Sequence, residues 1–449
     1  MMNIYCGKSE AYMSGIIDCL LPATLSALSG QSPPIYQYML TPPANLTAEV
    51  SSPPSSQKLL RGNVFPNMIY TESFAVGWPN GMDITEAKVQ MAADAMEDAW
   101  QALIVDGGWP QPVSSELYYI WVILDDDYAG SGYTTEYPAD EYPEGYPVIF
   151  LNPEYSEDNK FWTSLAAHEF NHAVQYGMRD YSYGANDDED WYWEASAEWG
   201  AELSLPNANA YGPQTWYYMS NSGARYSSMD GYHQYGMSVV NAHLEEHVSG
   251  EGGMLAAWVE ASTRPMVMWD ELIPEANGVT LDELWGGFTS SVTSMDFNDA
   301  VYYFPPEVEG PVTDGKSGAL PYLGTHYYNV QQSGSYSATG EVILAAPSGW
   351  GLSVTVNAGD ILAVTGRLDQ INNYTLHYSE DVTVDTGTTD TGDSSTQIDT
   401  SEGLDDSGFD GDRPPKQGCG CSSTPSGRGF GWHLFGIPLF ALIFVNRRR

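Results

Sequence analysis

The segment Leu165-Ala-Ala-His168-Glu169-Phe-Asn-His172-Ala-Val174 constrains this chain more than any other. It lies in an apolar stretch, and no charged residue stands between Phe161 and His168. That composition reads as a helix whose histidines sit in an apolar setting. Each residue turns a helix by about 100°, so His168 and His172 lie on one face, a turn apart. Two imidazoles so placed can share one tetrahedral zinc ion, and Glu169 projects beside them without ligating it. The pattern is H-E-x-x-H, which is short enough to arise by chance, so its weight depends on the residues downstream. A zinc site open to a substrate takes a third protein ligand and leaves the fourth position to water.

Further along the chain, Trp191-Tyr-Trp-Glu194-Ala-Ser-Ala-Glu198-Trp-Gly reads as a second helix, with Glu198 one turn after Glu194 on the same face. With this pair in place, the residues resemble the gluzincin peptidases, the thermolysin-like group. The resemblance implies that Glu194 is the third zinc ligand. It also implies that Glu198 holds a histidine ligand from behind the metal. His168-Glu-Phe-Asn-His172-Ala-Val-Gln, together with the later Trp-Tyr-Trp-Glu194-Ala-Ser-Ala-Glu198, is still more similar to secreted metallopeptidases of myxobacteria. Thermolysin-like enzymes usually carry Asp where this chain has Glu198. The resemblance further implies a zincin-type body of two lobes, one catalytic Zn2+ and protein or peptide substrates. Glu169 would take the proton of a water and pass it to the leaving amine. A donor from the lower lobe would steady the oxyanion. Gly231-Tyr232-His233-Gln-Tyr235-Gly236 offers Tyr232, His233 and Tyr235 for that task, and the Tyr-Gly pair before a helix favours Tyr235.

A second pattern, His243-Leu-Glu-Glu246-His247, is the inverted form H-x-x-E-H. It falls near the end of a helical run from Tyr235 to Val248, whose apolar stripe is Val239, Val240, Leu244 and Val248. Its polar residues read as ordinary positions near a helix C-terminus, where histidine suits the dipole. Two acidic clusters, Asp125-Asp126-Asp127 and Asp187-Asp188-Glu189-Asp190, offer the oxygen ligands that Ca2+ takes. Neither has EF-hand spacing, and both read as solvated loops.

Composition narrows the partners. Sixteen basic against 59 acidic residues give a net charge of −43. That excludes nucleic acid, whose binding rests on Lys and Arg meeting phosphates. The four cysteines, Cys6, Cys19, Cys419 and Cys421, all lie in the terminal regions. The body therefore holds neither a disulfide framework nor a cysteine nucleophile. It also lacks G-x-S-x-G, which argues against a serine hydrolase. Nothing in the sequence fixes an oligomeric state.

The expected class is α+β, and the chain divides into six segments. Residues 1–30 form a degenerate signal segment, and 31–63 a Pro- and Ser-rich linker or pro-segment. Residues 64–305 form the zincin-like body. Within it, Met68 to Phe74 is a first strand and Ile84 to Val105 a long helix. Leu117–Leu124 and 147–152 are further strands, the last being the sheet edge on which a peptide substrate would lie. Residues 310–381 alternate short β-prone runs with Gly, Ser and Asn turns, the pattern of a small β-sandwich. Residues 382–417 have almost no apolar content and read as a disordered acidic stalk. Residues 418–449 contain Cys419 and Cys421, an apolar run from Phe430 to Val445, and Arg447-Arg448-Arg449. The arginines would keep that end of a transmembrane segment in the cytoplasm. This order resembles the MYXO-CTERM-like sorting tail of myxobacterial surface proteins. It implies processing near Cys419 or Cys421 and an exported protein anchored at, or released from, the cell surface. A plain membrane anchor predicts the same topology. The alternative to an enzyme is a catalytically inert zincin-fold adhesion or scaffold protein at the cell surface, which the stalk and β-module suit equally well.

Overall fold

The computed structural model describes residues 65–380, apart from 117, 129, 137–146, 180–186 and 264–268. The expected signal segment, linker, stalk and sorting tail lie outside the described residues, as do all four cysteines. Among the described residues, no helix is long and apolar enough to cross a membrane. All of these residues belong to one compact unit, 1–383. The described residues form a mixed α+β structure with three sheets.

The first sheet has the order β1-β2-β3-β5-β4. Strand β1 (Asn67–Tyr70) and strand β2 (Phe74–Trp78) form an antiparallel hairpin. One strand was expected here. The chain instead turns at Thr71–Ser73, with the Thr71 amide donating to the Phe74 carbonyl at 3.0 Å. Strands β3 (Ile120–Leu124) and β5 (Pro147–Leu151) are parallel neighbours, and every residue in both is buried. Strand β4 (Gly132–Glu136) pairs antiparallel with β5 at the margin of the sheet. This corrects the expectation that 147–152 forms the edge. Pro147–Leu151 is apolar on both faces, as suits an interior strand with elements packed above and below.

Helix α1 (Glu86–Ala99) begins at Thr85, whose hydroxyl accepts from the Lys88 amide. It continues as a π-helical turn, Trp100–Asp106. Its buried face is mostly alanine, so helix α2 (Asn159–Arg179) packs close to it. The Trp162 indole of α2 donates to the Lys88 carbonyl at 2.8 Å. Asp158 starts α2 by accepting the amides of Lys160 and Phe161 at 3.0 and 3.3 Å.

Helix α3 (Asp187–Ser204) crosses α2 at Gly200. A methyl group there would stand 2.3 Å from the Asn171 amide nitrogen, so only glycine permits the approach. The helical lobe continues with α4 (Thr215–Met219), α5 (His233–Gly236), α6 (Ser238–His243), α7 (Gly253–Ser262), α8 (Trp269–Ala276) and α9 (Leu281–Ser294).

Nine further strands follow among the described residues: β6 (Val308–Pro311), β7 (Ser317–Leu320), β8 (Thr325–Asn329), β9 (Gly334–Thr339), β10 (Val342–Ala346), β11 (Gly349–Gly351), β12 (Ser353–Val356), β13 (Ile361–Gly366) and β14 (Asn372–Ser379). They form two sheets, ordered β11-β10-β13-β8-β6 and β12-β9-β14-β7. Their inner faces share one core, with Tyr328, Leu344, Leu362 and Val364 from the first and Leu320, Tyr336, Val356 and Leu376 from the second. The sandwich is not separate from the helices. Helix α9 packs on the first sheet, and Ser290 donates to the Ala346 carbonyl at 2.6 Å. Tyr327 meets Tyr218 of α4, hydroxyl to hydroxyl, at 3.0 Å.

Candidate metal centre

Helix α2 presents His168 and His172 on one face, with their rings 4.7 Å apart and nearly perpendicular. Helix α3 crosses so that Glu194 reaches both. Its Oε2 lies 3.3 Å from His168 Nε2 and 3.4 Å from His172 Nε2. One ligand atom from each of the three lies within 4.8 Å of the others, and this is the group among the described residues that could hold a metal ion. Ligand atoms about 2.0–2.1 Å from a tetrahedral zinc stand about 3.3 Å apart. The two distances from Glu194 match that separation.

The outer ring nitrogens face Gln175 and Glu198, and both Nε2 atoms face Glu194. His172 Nδ1 lies 2.7 Å from Gln175 Oε1. The Gln175 amide nitrogen donates to the Trp193 carbonyl at 3.1 Å and to Ser196 Oγ at 2.9 Å. That fixes the amide's orientation, so its oxygen accepts from Nδ1–H and the Nε2 lone pair points inward. Ser196 is itself held by the Trp258 indole at 3.1 Å and by the Tyr192 carbonyl. His168 Nδ1 lies 3.3 Å from Glu198 Oε1, and Gln214 donates to that same oxygen at 2.9 Å.

This crowding sets the charge of the site. All five residues, His168, Glu169, His172, Glu194 and Glu198, are buried. Burial alone would lower the His168 pKa, but Glu194 and Glu198 outweigh it and hold the imidazole well above its ordinary value. Burial likewise opposes ionisation of Glu194, yet His172 and His168 keep its carboxyl well below the usual range. Three carboxylates around two imidazoles make a site that favours a cation.

Glu169 is set apart from the three grouped residues. Thr134 Oγ1, on the edge strand β4, lies 2.9 Å from Glu169 Oε2 and 2.7 Å from the Glu169 carbonyl. Burial raises the Glu169 pKa, while His172 and His168 pull it down. Strand β4 passes so close that a methyl on Gly132 would stand 3.0 Å from Glu169 Oε1.

A cleft of about 950 Å³ opens over these groups, lined by residues 131–135 on one side and by Tyr217, Tyr232 and Tyr235 on another. Tyr235 is beside the metal group, its ring 6.1 Å from that of His168. Tyr232 lines the same cleft, but His233 does not. It is fully buried, its ring 5.6 Å from Tyr218, and burial lowers its pKa to about 4. Of the three expected donors, two therefore reach the cleft.

The inverted motif forms no metal group. His243 is buried and pairs with Ser291 Oγ at 3.1 Å, while His247 meets the Asp296 carbonyl at 2.8 Å. Asp125 closes a local turn by accepting the Asp127 amide at 3.1 Å. The side chains of residues 187–189 lie outside those described.

Three contributors escape the sequence reading: Gln175, Gln214 and Thr134. Gln175 stands three residues after His172 on the same helix face, a spacing that could have exposed it. Gln214 and Thr134 arrive from distant segments and leave no local signal. No protein-family model matches the chain, and a search of curated proteins finds no match either.

Proposed function

We propose that this chain is a zinc-dependent endopeptidase with a zincin-type two-lobe body. His168, His172 and Glu194 hold the metal, and Glu169 is the general base. This reading rests on three buried ligand atoms that converge from two helices, two of their separations matching those around tetrahedral zinc, with the Glu169 carboxylate beside them and a cleft above. Bound there, zinc supplies a Lewis acid for a peptide carbonyl and lowers the pKa of water at the site.

The chain's own residues do the rest. Glu169, oriented by Thr134, accepts a proton from water and delivers it to the leaving amine. Gln175 and Glu198 keep both imidazoles in the ligating orientation. Tyr235 stands on the wall beside His168, where a hydroxyl donor to the oxyanion is needed. Strand β4 lines the cleft and has no further strand paired on its outer side among the described residues, so an extended substrate can add to the sheet there. The stalk and tail sequences support export to the cell surface.

The test is cleavage of an unfolded protein by the zinc-loaded full chain beside its Glu169→Gln variant. The reading expects activity in the first and a loss of about a hundredfold or more in the second. Equal activity in both would remove Glu169 as the base. Silence of both with stoichiometric zinc bound would count against a peptidase.

A further inference from the structure

Strand β4 carries its backbone polar groups in two sets. The Asn152 amide donates to the Ser131 carbonyl at 2.8 Å, so Ser131 faces the β5 side. Along an antiparallel pair, bonded and non-bonded residues alternate. Tyr133 and Thr135 therefore turn their N–H and C=O groups to β5, while Gly132, Thr134 and Glu136 turn theirs outward. The register agrees, because Glu136 stands opposite Pro147, which has no N–H to give. Gly132 and Thr134 both line the cleft, so their outward groups are the ones an added strand would meet.

One of those groups is already taken. The Tyr176 hydroxyl donates to the Thr134 carbonyl at 3.1 Å. Tyr176 belongs to α2, one turn after His172 and on the same face. Its half-buried ring lies 5.2 Å from that of Trp193, and it lines the cleft. A helix side chain thus fills an acceptor that belongs to the edge of the sheet. The Thr134 side chain points the other way, to Glu169.

We propose that Tyr176 is a stop on the substrate strand, ending its pairing with β4 at Thr134. This rests on reading the cleft as a peptide-cleaving site. Added antiparallel, the more stable pairing, a substrate runs towards its own N-terminus as β4 runs from Gly132 to Thr134. Opposite Gly132 it can exchange both backbone bonds. Opposite Thr134 it can accept from the amide, but its own N–H meets the Tyr176 hydroxyl in place of an open carbonyl. A helical turn advances about 5.4 Å and an extended chain about 3.4 Å per residue. Tyr176 therefore stands about two substrate residues beyond His172. Residues still nearer the substrate's N-terminus leave the sheet edge and add nothing to binding. The cleft then reads only a short stretch before the scissile bond, however long the polypeptide.

The experiment uses the full chain and a nested set of peptides with roughly one to five residues before the scissile bond, a range that brackets the expected stop. For the zinc-loaded parent, kcat/KM is expected to rise up to about two residues and then stay level. Tyr176→Phe keeps the ring on Trp193, and with it the fold, but releases the Thr134 carbonyl. Tyr176→Ala clears the space as well. In one or both, the longer peptides gain about three- to tenfold over the short ones, the scale of one hydrogen bond. Methylating the substrate amide opposite Thr134 removes that gain and changes nothing in the parent. Calorimetric binding of the same peptides to the metal-free protein reads the pairing without catalysis. A plateau in the parent and a gain in a variant there support the stop even where nothing is cleaved, an outcome that removes only the peptidase reading. Affinity that keeps climbing with length in the parent overturns the proposal. So does an unchanged plateau in both variants, an equal loss at every length, as a merely structural role predicts, or no peptide bound by any form.

Discussion

Replacing Gln175 by leucine isolates the part of the site that no motif records. The side chain keeps about the same bulk but loses the oxygen that accepts from His172 Nδ1 and the nitrogen that donates to Trp193 and Ser196. The buried Nδ1–H then loses this acceptor, a cost of about 1–3 kcal/mol. The ring is also freed to take the other tautomer, which turns the Nε2 lone pair away from the ligating role. Loss of such a supporting contact costs about 10–100-fold in metal affinity, or about 1.4–2.8 kcal/mol. Competition with a fluorescent chelator measures the zinc Kd, with circular dichroism as the check on folding. Gln175→Glu sharpens the test. Its carboxylate still accepts from Nδ1 but can no longer donate to Trp193 and Ser196, so zinc affinity recovers while stability stays low. A Kd for Gln175→Leu within about twofold of the parent would refute the argument that this amide orients the ligand.

The helices around the site yield two more expected outcomes. Gly200→Ala ought to stabilise a helix by about 1 kcal/mol on propensity alone. The new methyl meets Asn171 at 2.3 Å, so urea unfolding should instead show a loss of about 1–3 kcal/mol. Glu202 is buried near Asp299, and these two causes, burial first, raise its pKa from 4.5 to about 8. A carboxyl raised on folding favours the native state while neutral, so this contribution is lost as pH climbs from about 4.5 through 8. Glu202→Gln removes that loss. Its stability relative to the parent should be flat below pH 4.5, grow across the window, and level off above about pH 8.

Local spacing made the faces of the two helices at the site legible in the sequence. The α2 histidines and the α3 glutamates fall on helix faces by spacing alone, which aligns His168 with His172 and Glu194 with Glu198. The short β-prone runs expected within 310–381 reappear as strands, among them β8 (Thr325–Asn329), β10 (Val342–Ala346), β12 (Ser353–Val356) and β13 (Ile361–Gly366). Failures came where strand order or distant contact decides. Gly132-Tyr-Thr-Thr-Glu136 is too mixed to announce a strand, so its buried neighbour looks like the sheet edge. The run from Tyr235 to Val248 breaks into α5, α6 and a π-turn rather than one helix. His243, read as a polar helix-end position, is buried against Ser291 of α9. Nothing within its own segment could have shown that.

The most direct test of the central claim is a zinc titration of the metal-free full chain, run beside Glu194→Gln and read by calorimetry and elemental analysis. The parent is expected to bind one equivalent of zinc, with affinity reduced by about a hundredfold or more, about 2.8 kcal/mol, when the charged ligand is neutralised. No stoichiometric zinc in the parent, or equal affinity in the variant, would contradict it.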